Sequence, residues 1–452
     1  MNYIVEKERN IHVFEEVDVL VIGGGPGGLS AAIASARAGV KTMLLERYGC
    51  FGGSTTSVGV ESLAWYRHEE TIDAEGIGIE FERRAMEMGA TNTEVQSDSQ
   101  ALDTEMFKHV ADTLVIEAGV IPLLHCYGVD PIIEGNVVKG VITESKSGRQ
   151  AILARIVIDA SGDADIASRA GAPCVLNPLS ERQSMTMVFN CCGIDKKRFL
   201  EYVNADPATY NDWGQEWAQQ TSGLEKSMFS PYLEKQFVQA RKNKIIPESE
   251  WNFCGSWSTI TDDGQATYLN LVHIGGKDCT DVRDLTQAEM EGRKQVLHAI
   301  RAMNATIPGF EKARLRNYGM TVGTRDSRKI IGDYNMTGHD VLNEARFDDS
   351  IGIFPEFVDG YGVLRLPVTG RFFQVPYRSL VPRKIENLLV AGRSISGDKV
   401  SHAATRNMMC CTVSGQGAGV AAAVGVKCDT VVRQLPVAEI QKELVRQQVR
   451  FK

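Results

Sequence analysis

Apolar positions near the start of the chain come in two short bursts. Val17–Ile22 is a β-branched apolar run interrupted once by Asp18, and it breaks into Gly23-Gly24-Gly25-Pro26-Gly27-Gly28 and then a small-residue stretch. A short apolar run ended by glycines predicts a buried strand, and the stretch after it predicts a helix. A second run, Lys41–Leu45, ends in Glu46. Strand, glycine turn, helix, strand and acid in that order predict a nucleotide-binding βαβ unit. In such a unit Gly23 permits the tight turn, Gly25 lets the backbone approach a pyrophosphate, and Gly28 lets the helix pack on the sheet. Backbone N–H groups at the helix start meet the phosphates, and Glu46 suits the ribose hydroxyls.

Further along, 76–90 and 103–118 carry amphipathic patterns that predict helices. Strands are predicted at Gly119–Leu124, Gly128–Ile133, Val137–Glu144 and Ala151–Ile158, with a hairpin about Glu134-Gly135-Asn136. From about 175 to 380 the βα rhythm stops and tryptophan and phenylalanine concentrate. It returns at Asn387–Arg393, followed by a small-residue helix over Ala403–Val424. Val437, Ile440 and Leu444 then mark one face of a terminal helix. The fold class read from this is α/β: a Rossmann-like dinucleotide-binding domain assembled from separated segments, with an inserted α+β substrate domain. The expected division is 15–60, 105–175 and 383–430 for the binding domain, 61–104 for a helical cap, 176–382 for the substrate domain and 431–452 for the C-terminal helix.

Composition narrows the class. The 49 basic and 57 acidic side chains give a net charge of −8, which offers no global attraction to nucleic acid or anionic membrane. The first residues, MNYIVEKERN, are charged and read as no targeting segment, and no run is read as a bilayer span. Ten cysteines include no CxxC; scattered in this way they read as reduced cytoplasmic thiols, with little support for zinc or iron–sulfur ligation, so no metal is expected. HExxH, Walker A and GxSxG motifs do not occur. The expected partner is a small-molecule substrate; the electron acceptor is unnamed and a homo-oligomer stays open.

Pattern alone does not separate FAD from NAD. Glu46-Arg47 followed by Gly49-Cys50-Phe51-Gly52-Gly53, the strand ending Ile158-Asp159-Ala160-Ser161-Gly162-Asp163, Val375–Pro382 (VPYRSLVP) and Asn387–Arg393 (NLLVAGR) together resemble FAD-dependent oxidoreductases. The superfamily is the glutathione-reductase-like one with two dinucleotide folds, and the narrower likeness is to a bacterial group with a GCFGG-type turn. The resemblance covers roughly 15–175 and 320–430. It implies that Gly23, Gly25 and Gly28 hold the pyrophosphate, and that Glu46 and Arg47 lie at the adenosine ribose. Gly52, Gly53 and Ser54 would run beside the ribityl chain and ring, with Thr55 near the ring. Val129 would lie by the adenine, with Ala160 and Gly162 over the phosphates. Gly392, Arg393 and the following helix would meet the pyrimidine end, and Asp398 would bind ribityl hydroxyls or cap that segment. A helix N-terminus there would stabilise the negative charge of reduced flavin.

Substrate oxidation by flavin needs a base and a site for a substrate oxygen. His402 and Arg406 lead, as base and as oxygen-holding cation, because Ser401–Arg406 opens the helix placed at the flavin. Arg325 and Arg328, three apart, suit anion binding on a shared face or an ion-pair network with Asp326 and Asp333. Tyr377 borders the site or packs at a junction. Relatives of this pattern carry a histidine within Phe357–Tyr361 that this chain lacks, leaving Asp359 or Tyr361 in its place. Trp251, Phe253, Trp257, Tyr268 and His273 are a candidate pocket lining, and Cys50 is a small turn residue. No second GxGxxG unit for NAD(P)H occurs. The leading expectation is a dehydrogenase or oxidase transferring hydride between a small organic substrate and flavin N5. The alternatives are a flavin monooxygenase driven by NAD(P)H and an FAD-binding electron-transfer subunit.

Overall fold

The computed structural model describes residues 3–63, 74–93, 100–205, 218–220, 234–250, 253–256, 259–355, 357–361, 363–365 and 370–452. Seven strands form the first sheet: β1 (His12–Ile22), β2 (Thr42–Leu45), β3 (Ile121–Leu123), β4 (Tyr127–Glu134), β5 (Val137–Ser145), β6 (Gly148–Asp159) and β7 (Leu388–Val390). Their order is β3-β2-β1-β6-β5-β4, with β7 pairing β6. Strand β1 runs parallel to both neighbours, with Val21 opposite Leu44 and Ile158. The long β6 uses its first half to pair antiparallel with β5 and its last residues, Val157–Asp159, to pair parallel with β7. One sheet thus draws strands from both ends of the chain. Burial of Val19–Ile22 without alternation follows from cover on both faces.

Helix α1 (Pro26–Arg37) leaves β1 with proline in its first turn, where a missing N–H costs nothing. The small-residue segment expected as one helix is two: α2 (Lys399–Thr405) and α3 (Met408–Cys428). The break is made by Asn407. Its amide donates to the carbonyls of Ala403 and Ala404, ending α2, while its own carbonyl accepts the Cys411 N–H that begins α3. Helix α3 lies on α1 through glycines. A Cβ on Gly415 would stand 2.0 Å from the Gly27 carbonyl oxygen, and one on Gly419 2.1 Å from that of Ala31. By length and composition α3 is apolar enough to cross a membrane, contrary to the sequence expectation, but its apolar stretch is wholly buried inside the protein. It is a core helix.

A second, antiparallel sheet has Met185–Cys192 between Gln265–Ile274 and Arg314–Tyr318, with Phe253–Ser256 and Thr259–Ile260 on the outer side. Helix Val282–Thr306, capped by the Asp281 carboxylate, backs it with Ala288, Val296, Ala299 and Met303. Apolar residues of the later segment, Met336 through Val381, pack instead into the core around α1 and α3.

The α1–α3 contact has a direct test. Gly415→Ala should cost on the order of 2 kcal/mol or more of unfolding free energy. Gly275→Ala, where nothing lies within 4 Å, should stay within about 0.5 kcal/mol. Urea unfolding of both variants measures the difference.

Candidate active site

The carboxyl ends of β1, β2, β6 and β7 open into a cleft of about 330 Å3 that reaches across to the second sheet. Open α/β sheets bind ligands at this end, where strand order reverses. One side is backbone-rich: Gly23, Gly25 and Gly27, then Glu46–Tyr48, Gly53, Ser54 and Ser57, Cys126–Gly128, Ala160–Asp163 and Ala391–Arg393. Facing it are Thr186, Tyr268, Asn270, Thr321–Arg325, Phe357 and Asp359, with Arg406, Asn407 and Met408 at the start of α3.

Glycine is required at several of these positions. Gly23 has φ +100°, and a Cβ there would meet the Ala160 oxygen at 2.4 Å. Gly53, at φ +51°, brings its Cα side to Gly25, where a Cβ would stand 2.6 Å from the Gly25 Cα. Such turns leave room for an extended ligand against bare backbone. The Glu46 carboxylate is held at the cleft by the N–H groups of Gly24 (2.7 Å) and Tyr48 (2.9 Å). The Arg47 guanidinium lies 4.8 Å from the Tyr48 ring centroid.

Arg393 donates to Asp163 at 2.6 Å, and its buried Nε has no hydrogen-bond partner. Burial alone would raise the Asp163 carboxyl, but the Arg393 guanidinium holds it below the usual range. Gly162 makes room: a Cβ there would be 3.1 Å from the Arg393 Cζ. An unpartnered guanidinium nitrogen, the N-terminal ends of α1 and α3, and a glycine cradle suit a long ligand carrying a pyrophosphate. The residues present fit FAD.

Other expected residues sit beside this cleft or away from it. Gly28 shapes the turn from behind, its Cβ position only 1.7 Å from the Gly23 oxygen. Gly52, at φ +113°, donates its N–H to Gly24 and supports the turn rather than lining it. Thr55 is buried with its hydroxyl 3.5 Å from the Met408 sulfur. Val129 lies one residue past the wall, its carbonyl accepting Arg169. Asp398 is a cap, accepting the N–H groups of Ser401 and Gly338, both at 2.8 Å. Tyr377 is enclosed, donating to the Val432 carbonyl at 2.7 Å, and burial pushes its phenol well above the ordinary value. Cys50 lines a smaller cavity behind Ser54–Val58.

His402 is the main correction. It is 1% exposed and off the cleft wall, with Nε2 3.1 Å from the Arg325 carbonyl and Nδ1 without a partner. Burial, with the positive Lys329 close by, pushes its imidazole down to about 3. A group so placed is no base for a ligand in the cleft.

Arg325 and Arg406 do reach the wall. Arg325 donates to the Ser184 carbonyl at 3.0 Å and to Asn270 at 3.1 Å, and its Nη1 is 3.2 Å from the His273 ring. Arg406 donates to Asp359, 2.9 Å from its carboxylate, and its Nε is buried without a partner. Arg328 is off the wall but pairs with Asp165, which lines the cleft, while Asp326 and Asp333 pair with Lys329 and Arg433. Of the expected aromatic lining, Tyr268 is on the wall, at φ +54° in an irregular stretch of the sheet that turns its side chain there. Trp251 and Trp257, and the side chain of Phe253, lie outside the described residues. Thr186, Asn270, Asn407 and Met408 were missed. The available signal was Asn407, since an asparagine side chain competes for backbone hydrogen bonds and so favours a helix break.

The depressed His402 titration makes a pH prediction. An exposed histidine takes up a proton near pH 6.5, whereas the folded one does so only near 3. Between those values the unfolded chain holds the extra proton, so stability falls as pH drops, by on the order of 1 kcal/mol per pH unit. Thermal midpoints measured across that window should flatten in His402→Asn.

Residues 18–444 match the family of FAD dependent oxidoreductases. The chain is 33% identical over 181 residues to thiamine thiazole synthase of Saccharolobus islandicus, an alignment covering 37% of this chain and 64% of that enzyme. The corresponding enzyme of Methanococcus vannielii is 32% identical over 169 residues, covering 34% of this chain and 59% of its own length. The chain therefore spans less than two thirds of these curated relatives. A geranylgeranyl bacteriochlorophyll reductase-like protein from Thermoplasma acidophilum shares the fold, at 14% identity and a TM-score of 0.50, covering 96% of this chain and 84% of that one. With a matching cradle at one end of the sheet and a family match over nearly its whole length, the chain belongs to the FAD-dependent oxidoreductases and is an FAD-dependent enzyme.

Proposed function

We propose that this enzyme is a dehydrogenase or oxidase that takes a hydride from a small organic substrate seated between the glycine cradle and the second sheet. The observation that carries the reading is the continuity of one cleft from the Gly23–Gly27 turn to Thr186, Asn270 and Arg325. In this reading Gly23 and Gly25 bear the pyrophosphate, and Glu46 accepts from the adenosine ribose. Arg47, Tyr48 and Cys126–Gly128 border the adenine. Gly53, Ser54, Ala160, Gly162, Gly392 and Arg393 flank the middle of the cofactor, and the α3 N-terminus faces its ring. Bound FAD supplies a two-electron acceptor. Arg406 and Arg325 orient a substrate oxygen by charge-assisted hydrogen bonds, and Tyr268 and Phe357 shield the reacting carbon from water.

Within the family we place the chain in the GCFGG-type group of the glutathione-reductase-like superfamily, on Gly49–Gly53 and Ile158–Asp163. The nine cysteines whose side chains are described form no disulfide, which supports a reducing, cytoplasmic setting.

Anaerobic mixing of the yellow holoenzyme with hydroxy acids, cyclic ketones, amines and sugars should bleach the flavin band with at least one class. Bleaching by NADPH alone would replace this reading with a monooxygenase, and bleaching by nothing would leave an electron-transfer subunit. With the compound that works, Arg406→Leu should raise KM about 10- to 100-fold, the worth of one charge-assisted hydrogen bond.

A further inference from the structure

We propose that Asp326 is a positioning residue, buried behind the cleft, that locks Arg325 and Arg406 in place to receive an anionic group of the substrate. The proposal rests on the reading above that substrate binds at this wall. Asp326 is completely enclosed. One carboxylate oxygen accepts from Lys329 Nζ at 3.0 Å, and the other accepts from Asn177 at 3.1 Å and from the Tyr361 hydroxyl. Lys329 is itself only 1% exposed. Burying an ion pair contributes little to stability, because desolvation offsets most of the attraction. A cluster of this kind therefore calls for a role other than holding the fold.

Its connections supply one, because they close a ring. Asp326 follows Arg325, whose carbonyl is 3.1 Å from His402 Nε2. The His402 carbonyl accepts the Arg406 N–H one helical turn later. The Arg406 guanidinium donates to the carboxylate and carbonyl of Asp359. Two residues on, Tyr361 returns to Asp326. Tyr361 holds φ +53°, a left-handed conformation that a bulky residue keeps only when its surroundings fix it. Arg325, Asp359 and Arg406 line the cleft, whereas the buried Asp326, Lys329 and His402 and the half-buried Tyr361 are off its wall. The hidden members thus act through the visible ones. Arginine side chains lose much rotamer freedom when they grip a ligand, and fixing them beforehand removes that cost.

The test is a titration of the FAD-loaded enzyme that follows the visible flavin band, with benzoate as the anionic probe and benzamide as its neutral counterpart. The wild type should respond to benzoate. Tyr361→Phe, which removes one hydroxyl and leaves the Lys329–Asp326 pair, should keep its FAD and bind benzoate about tenfold more weakly, with benzamide unchanged within about twofold. The double variant Asp326→Asn/Lys329→Met removes both buried charges together and should show the same selective loss. Benzoate affinity at the wild-type level in either FAD-loaded variant would overturn the proposal, as would equal weakening of both probes. A wild type blind to benzoate would overturn it too. None of these outcomes depends on hydride transfer, which the bleaching experiment judges separately.

Discussion

The architecture depends on backbone meeting backbone without side chains between. Three turns, at Gly23–Gly28, Gly52–Gly53 and Gly392, come together at the carboxyl end of the first sheet, and α3 rests on α1 through Gly415 and Gly419. A Cβ at Gly27 would already crowd Gly392, at 3.1 Å. Close packing leaves no slack for an added methyl group at such points. The cradle, its supporting helix and the strand that brings Arg393 are therefore one mechanical unit.

On that frame the charges divide by role. Near the glycine turns, Glu46 is fixed by two backbone N–H groups and Asp163 by Arg393. Across the cleft, guanidinium groups are fixed by neutral carbonyls and by Asp359, with a buried carboxylate behind them. Charges held in fixed positions before a ligand arrives need no reorganisation when it does. Cys411 also touches this cleft, but burial pushes its thiol up to about 12. A thiol so raised is inert near neutral pH.

What could be read in the sequence was local. Val17–Ile22, the glycines after it and Glu46 lie within thirty residues of one another, and their order encodes the turn, the helix and the second strand. The hairpin at Glu134–Asn136 was legible for the same reason. The second sheet was not: Met185–Cys192 pairs with strands that begin at Gln265 and Arg314, and nothing in either segment names its partner. The pose of Tyr268 depends on those pairings. His402 was misjudged because Ala403–Val424 reads as one helix, with Ser401–Arg406 at its start. The double use of Asn407 moves the cleft-facing start of α3 past it, leaving the histidine on the inner side.

The distribution of β7 and α3 along the chain bears on biosynthesis. Synthesis reaches the strands β1–β6 within the first 159 residues, yet β7 and Arg393 emerge only after residue 387. Until residues 387–428 are made, the glycine turn at the head of α1 has no Gly392 beside it and no α3 behind it. A chain stopped before Met408 therefore carries the first glycine turn without the helix that packs behind it.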